Sequence, residues 1–359
     1  MRNLLSKALL VTSVAVGALY SGALWAQDAK LVQTNLVSDI PGLARVTDSN
    51  LKNPWGVSHS PMSPFWVSNQ ATSTATLYAV TDETDVMKVP LVVAIPTTAA
   101  GPQGPTGQVN NANTSSFLIP VNNGPSPASA HFIFANLNGT ISAWAQPQTP
   151  AAIKVTTPGA VYTGLAINGA QTRLYAADVV PPGRIDVFDS SFNPVSLASS
   201  SFVDPSLPAG LVPFNVQEIG GDVYVTYAPA GLPNMQHAPL GAGAVAIFDE
   251  DGKFIEELVA GSRLAAPWGI TIAPPGFRRF SNTVLVGNFS YDHSEINAFI
   301  PSNGKLHGTI PIDTSGLAAG GLWAIEFGVG GRNGSPDVLY FADGINGEAD
   351  GLFGAITAH

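Results

Sequence analysis

The chain has no cysteine. That removes disulfides, thiolate metal ligands and a cysteine nucleophile together. Charge is scarce: Asp, Glu, Lys and Arg make up 11% of the 359 residues, against about 25% in ordinary soluble domains. Positive charge is scarcer still, with 15 Lys+Arg against 25 Asp+Glu and no basic run or stripe. Nucleic acid and anionic membrane are poor partners for such a surface. The chain also lacks a G-x-S-x-G elbow, an H-E-x-x-H pair and a P-loop, so neither a nucleotide nor a flavin is expected. The Gly-rich "GVGGRNG" at 328–334 has no following helix and reads as a turn between strands.

Glycine (37) and proline (29) are abundant, and the apolar residues are rich in Val, Ile, Phe, Tyr and Trp, which suit pleated strands. Many short strands joined by tight turns follow, an all-β chain. At the start, Arg2 and Lys7 precede an apolar run at 8–24, and Ala26 offers a small residue before a cut. This pattern reads as a secretory signal over 1–26; the run is near the lower limit for a membrane span. The expectation is a secreted or periplasmic protein, monomeric and off the membrane once cleaved, with one domain over 27–359. Loss of Arg2 and Lys7 leaves 13 Lys+Arg against 25 Asp+Glu, a net charge of −12.

The domain repeats itself. "NPWGVSH" at 53–59 returns as "APWGITI" at 266–272. Weaker copies are "PTGQVN" from Pro105, "YTGLAI" from Tyr162, "PFNVQE" from Pro213 and "GLWAIEF" from Gly321. One column reads Gly56, Gly107, Gly164, Asn215, Gly269 and Ala324, at spacings of 51, 57, 51, 54 and 55. A second column ends a strand in each copy: Asn69, Asn136, Asp178, Tyr227, Asn288 and Asp343. A third strand follows a turn, and a fourth is visible in some copies. Six copies of about four strands predict a six-bladed β-propeller of four-stranded blades. No room is left for a seventh copy. The spare strand at 30–40 is expected to complete the last blade and close the ring.

"GRIDVFD" and "GAVAIFDEDGKFI" resemble the strand–turn–strand of NHL-type propellers. The strings at 33–56, 287–299 and 339–354 resemble a family of secreted bacterial propellers often found with a PEP-CTERM sorting tail. The resemblance covers the mature chain and implies a secreted propeller, without implying a reaction. The chain departs from that pattern in ending "GAITAH", with no apolar tail or basic cluster.

Candidate site residues follow from the repeat. The column glycines suit a crowded axis, and Trp55, Trp268 and Trp323 beside that column either pack between blades or line a ligand site. Asn69, Asp178, Asn288 and Asp343 offer oxygen ligands suited to Ca²⁺; such residues at strand ends also make side-chain turns. Asn136 and Tyr227 share the column as candidate substrate contacts. "DGINGEADG" at 343–351 gathers Asp343, Glu348 and Asp350 as either a cation loop or a solvated acidic one. His59, near the channel, and His293, flanked by Asp292 and Glu295, are candidate acid–base groups, and Glu326, a carboxylate on the last inner strand, is a further catalytic candidate. His237 lies in the long loop 228–243, a candidate lid over the channel mouth.

Two functions compete. Six-bladed propellers of the lactonase and gluconolactonase type hold Ca²⁺ with Asn, Asp and Glu from several blades, and by analogy this chain would be a metal-dependent lactone or ester hydrolase acting in the channel. The alternative is a non-enzymatic binding or scaffold propeller for a small molecule, polymer, sugar or protein partner.

Overall fold

The glycine column decides how closely the blades approach. In a computed structural model that describes residues 30–98, 101–121 and 126–359, a Cβ placed on Gly56 would overlap the carbonyl of Thr106. One on Gly107 would overlap the backbone of Leu165 and Gly164, and one on Gly269 the carbonyl of Trp323. Each of these positions faces the inner strand of the next blade. The register of every inner strand against its neighbour breaks at this column. Six equivalent β-bulges therefore bend the strands around the axis.

The freed backbone groups are satisfied from the adjacent blade. Thr106 Oγ1 donates to Tyr162 O at 2.8 Å, and Thr163 Oγ1 donates to Phe214 O at 2.7 Å. Asn215, which replaces glycine in the fourth copy, donates from Nδ2 to Trp268 O at 2.9 Å. Gln108 Nε2 reaches back to Gly56 O at 2.7 Å. These bonds lock neighbouring blades at the point where no side chain has space to pack.

The inner strands are Pro54–Ser58, Pro105–Asn110, Tyr162–Ile167, Leu211–Ile219, Pro267–Ile272 and Leu322–Phe327. Each pairs antiparallel with the next strand of its own sheet. The six sheets form the expected six-bladed ring. The first, second, fourth and fifth blades have four strands. The third has three: the fourth position is reduced to one bridge, Phe188 to Pro194, because Pro194 has no N–H with which to continue a ladder. A short hairpin, Leu118–Ile119 with Ala128–Ser129, is inserted in the second blade.

The sixth blade closes the ring. Leu31–Ser38 pairs antiparallel with the last strand, Leu352–Ala358, from Leu31↔Ala358 to Ser38↔Leu352. Val46–Thr47 adds a fifth, parallel strand at its edge. A buried polar chain ties this segment to the first blade: Tyr78 Oη donates to Asp48 Oδ2 at 2.9 Å, and Lys88 Nζ lies 2.8 Å from Asp48 Oδ1. These bonds hold the Asp48 carboxyl below the ordinary carboxylate range although burial opposes them. Among the described residues no helix is long and apolar enough to cross a membrane. The signal reading at 1–26 lies outside the described residues.

Candidate functional site

The aromatic residues beside the glycine column meet on the axis. Trp55 and Trp323 stack with ring centroids 3.4 Å apart. Trp268 stands edge-on to both, at 6.3 and 5.6 Å. Phe214 closes against Trp323 at 5.9 Å, and Phe289 lies 4.3 Å from Trp323. Five rings from the first, fourth, fifth and sixth blades thus plug the channel. Trp323 is fully buried and belongs to this packing; it lines neither space described next.

Below the plug is a small polar channel of about 70 Å³, lined by Gln108, Asn215, Gln217, Thr271 and Glu326 together with Trp268. Above it is a larger apolar cavity of about 620 Å³. Trp55 and Phe214 line that cavity, with Leu137, Val161, Val179 and Pro181 in its walls. The loop after Pro229 caps it, folding into a short helix at Leu232–Gln236 that brings Leu232 and Met235 to the cavity. The long loop read as a lid therefore lines one side of the cavity.

One titratable side chain, Glu348, lines the apolar cavity. Oε2 accepts from Tyr291 Oη at 2.6 Å and from Gln236 Nε2 at 3.2 Å. Oε1 accepts from Asn53 Nδ2 at 3.1 Å. All three donors are neutral. Burial pushes the Glu348 carboxyl above its ordinary value, and the three hydrogen bonds only partly oppose this. Its backbone sits at φ 67°, in the left-handed region uncommon for a side chain of this size. Asn53, at φ 44°, also donates to Gln70 Oε1 at 3.0 Å and accepts from Trp323 Nε1 at 3.0 Å. Two strained residues are thus fixed by one network that joins plug, cavity wall and lid. His237 is exposed on the lid and pairs with Asp292 at 3.2 Å.

At the far end of the channel His59 and Glu326 come together, with Nε2 3.1 Å from Oε1. Burial pushes the His59 imidazole down, but the Glu326 charge and hydrogen bond outweigh it, so protonation is favoured above the ordinary value. His293 is different. Asp292 is held by His237, and Glu295 makes a two-pronged pair with Arg263 at 2.9 Å. Neither flanking carboxylate is left to orient the His293 ring.

The second-strand column is held inside the blades. Asn69, Asn136, Asp178, Asn288 and Asp343 are each fully buried within their own blades. Asp178 Oδ1 accepts from Val161 N and Asn288 Oδ1 from Ala265 N, each at 3.0 Å, tying down the segment before an inner strand. Asn69 donates to Thr76 Oγ1 and Asn136 to Thr140 Oγ1. Leu322 pairs with Asp343 while Glu326 pairs with Tyr340, so Glu326 stands at the opposite end of its blade from the column. The Asn136–Thr140 bond and a bond from Val180 N to Asp178 Oδ1 are local turn contacts; those from Val161 and Ala265 reach across the blade, and Asp343 makes no side-chain hydrogen bond. Tyr227 is buried, and none of these residues lines either axial space. Asn53, Gln70, Tyr291 and Gln236 enter the site without having stood out in the sequence; the positive φ required of Asn53 has no marker beyond its place before Pro54.

No family model matches the chain. Two uncharacterised proteins of Acanthamoeba polyphaga mimivirus are similar along most of its length. One is 29% identical over 342 residues, 89% of this chain and 78% of the relative. The other is 27% identical over 340 residues, 90% of this chain and 84% of the relative. These relatives overturn the expected kinship with a bacterial PEP-CTERM family. The strings that suggested it encode a bulge, a turn and a crowded axis, which report architecture and not lineage. Among solved structures, a Bacteroides thetaiotaomicron protein of unknown function is similar at TM-score 0.56 and 12% identity, over 92% of this chain and 77% of that one. Kuenenia stuttgartiensis hydrazine synthase is similar at TM-score 0.50 and 14% identity, over 84% and 76%. At these identities the likeness shows the fold alone.

Proposed function

We propose that this propeller is a binding protein that holds a small, mainly apolar molecule in the capped mouth cavity. The observation that carries this reading is the cavity itself: about 620 Å³, walled by aliphatic and aromatic side chains, floored by Trp55 and Phe214, and covered by Leu232 and Met235. Specific small-molecule sites have this size and make-up, with a few polar groups that fix orientation. Here Asn53, Gln70, Thr163 and Glu348 are those groups. The hydrolytic alternative has less support, because the amides and carboxylates expected to share a cation are buried inside separate blades.

The test uses N-phenyl-1-naphthylamine, a neutral apolar fluorophore with one N–H donor. Saturable fluorescence enhancement at one site per chain is expected. Ala230→Trp adds an indole to the cavity wall and should abolish the signal while the melting temperature stays within a few degrees. No saturable binding, or binding undiminished in Ala230→Trp, overturns the reading.

A further inference from the structure

We infer that the mouth cavity selects a cationic ligand, an apolar body carrying an ammonium group, with Glu348 as its counter-charge. This rests on the binding reading above and names the ligand class. The argument begins with what surrounds Glu348. Its carboxylate faces a cavity in which no Lys, Arg or His is present among the described lining residues. Tyr291, Asn53 and Gln236 supply hydrogen bonds but no positive charge. A carboxylate in an apolar wall is costly unless it is paired as well as hydrogen-bonded. Structural carboxylates elsewhere in this chain do have such partners: Asp48 has Lys88, Asp350 has Lys52, Glu295 has Arg263 and Asp178 has Arg184. Buried Asp204 likewise has neutral donors alone and Asp343 has none, but of these three carboxylates it is Glu348 that lines the mouth cavity, where a ligand can supply the missing charge.

The second observation is aromatic. Trp55 and Phe214 line the same cavity. Ring faces attract an ammonium through their quadrupole, most strongly when water is excluded. Carboxylate and rings together favour a cation over an equally apolar alcohol and disfavour an anion. Gln236 donates from the lid helix to both Glu348 and Tyr291 Oη, so the charge sits where the lid closes.

The experiment measures each ligand directly by calorimetry: octyltrimethylammonium, 1-octanol and octyl sulfate, which share a tail and differ in head-group charge. The ammonium is expected to bind roughly tenfold more tightly than the alcohol, with the sulfate weakest. Glu348→Gln should cut the ammonium-to-alcohol ratio several-fold, leaving only the share the rings supply, and Ala230→Trp should remove the ammonium signal. Parity of ammonium and alcohol in the natural chain overturns the inference even if Glu348→Gln does not fold. A preference undiminished in Glu348→Gln, or one that survives Ala230→Trp, overturns it as well. Loss of the binding reading looks different: neither the neutral fluorophore nor any of the three ligands binds.

Discussion

Replacing Asp343 with asparagine removes a charge that the sixth blade has no means to accommodate. The side chain is fully buried, and neither carboxylate oxygen has a hydrogen-bond partner in the structure. Burial raises the carboxyl from the ordinary 3.8 to about 7. The folded chain therefore holds this proton more tightly than the unfolded chain does. Stability is greatest while both states are protonated, falls as pH rises between about 4 and about 7, and is level above that. Ionised Asp343 then costs roughly 4 kcal/mol at pH 8, taking 1.36 kcal/mol per pH unit. For a domain of this length, with roughly 0.7 kcal/mol/K of unfolding entropy, that is a melting-temperature gain of about 6 °C in Asp343→Asn. The copies ending in Asn69, Asn136 and Asn288 already carry the amide at the same column.

The assay is thermal and urea unfolding of the natural chain and Asp343→Asn, followed by circular dichroism at pH 4 and pH 8. The two proteins should nearly coincide at pH 4 and separate at pH 8, with the variant the more stable. The opposite result would refute the reasoning: a variant less stable at pH 8 means that ionised Asp343 has a partner, as a bound cation would provide. A matching loss when the natural chain is treated with chelator would return the column to the calcium reading.

Other consequences are independent of that carboxylate. Gly107→Ala should cost about 1–3 kcal/mol in urea unfolding, because its Cβ meets the backbone of Leu165 and Gly164. Gly169→Ala, whose nearest obstacle is Glu218 Oε1 at 3.9 Å, should be neutral or gain up to about 1 kcal/mol; equal losses would undo the crowded-axis argument. The stabilisation from charged His59 is complete below pH 6.5 and fades as pH rises through its higher folded value. Glu326→Gln should lower the His59 midpoint in an NMR titration, and an unchanged midpoint removes Glu326 as its cause. Gln236→Ala should speed hydrogen exchange at residues 231–238, since it deletes the lid's bonds to Tyr291 and Glu348; unchanged exchange would mean that Leu232 and Met235 hold the lid unaided.

The ring was legible because its constraint falls on single residues at a fixed period. A bulge where six strands crowd together admits almost nothing but glycine, and the exceptions are informative: Asn215 fills its position with a bond to the next blade. The closing strand was legible because 30–40 has strand character and no partner in its own half of the sequence. The third blade was less so. The segment at 192–197 falls where a fourth strand is expected, but Pro194 interrupts its ladder, and Val195 N to Val187 O at 2.8 Å and Asp189 N to Asn193 O at 2.9 Å are what remain.

The site was harder to read, because its parts come from positions the repeat does not share. Glu348 lies in an acidic loop that looks uniform in sequence, yet the three carboxylates have three different fates. Asp350 is paired with Lys52, Asp343 is buried in the blade, and Glu348 turns inward at positive φ to meet a tyrosine from the fifth blade and a glutamine from the lid. Residue type and spacing do not distinguish these fates; tertiary placement does. Repetition fixes what the six blades have in common, and binding specificity must arise where the copies differ. On this chain the differences gather at one mouth: the lid inserted in the fourth blade, the strained Asn53 that opens the first, and the carboxylate loop of the sixth. That three unrelated departures from the repeat are joined by one hydrogen-bond network is the strongest argument that the mouth, and not the symmetric column beside it, is where this propeller acts.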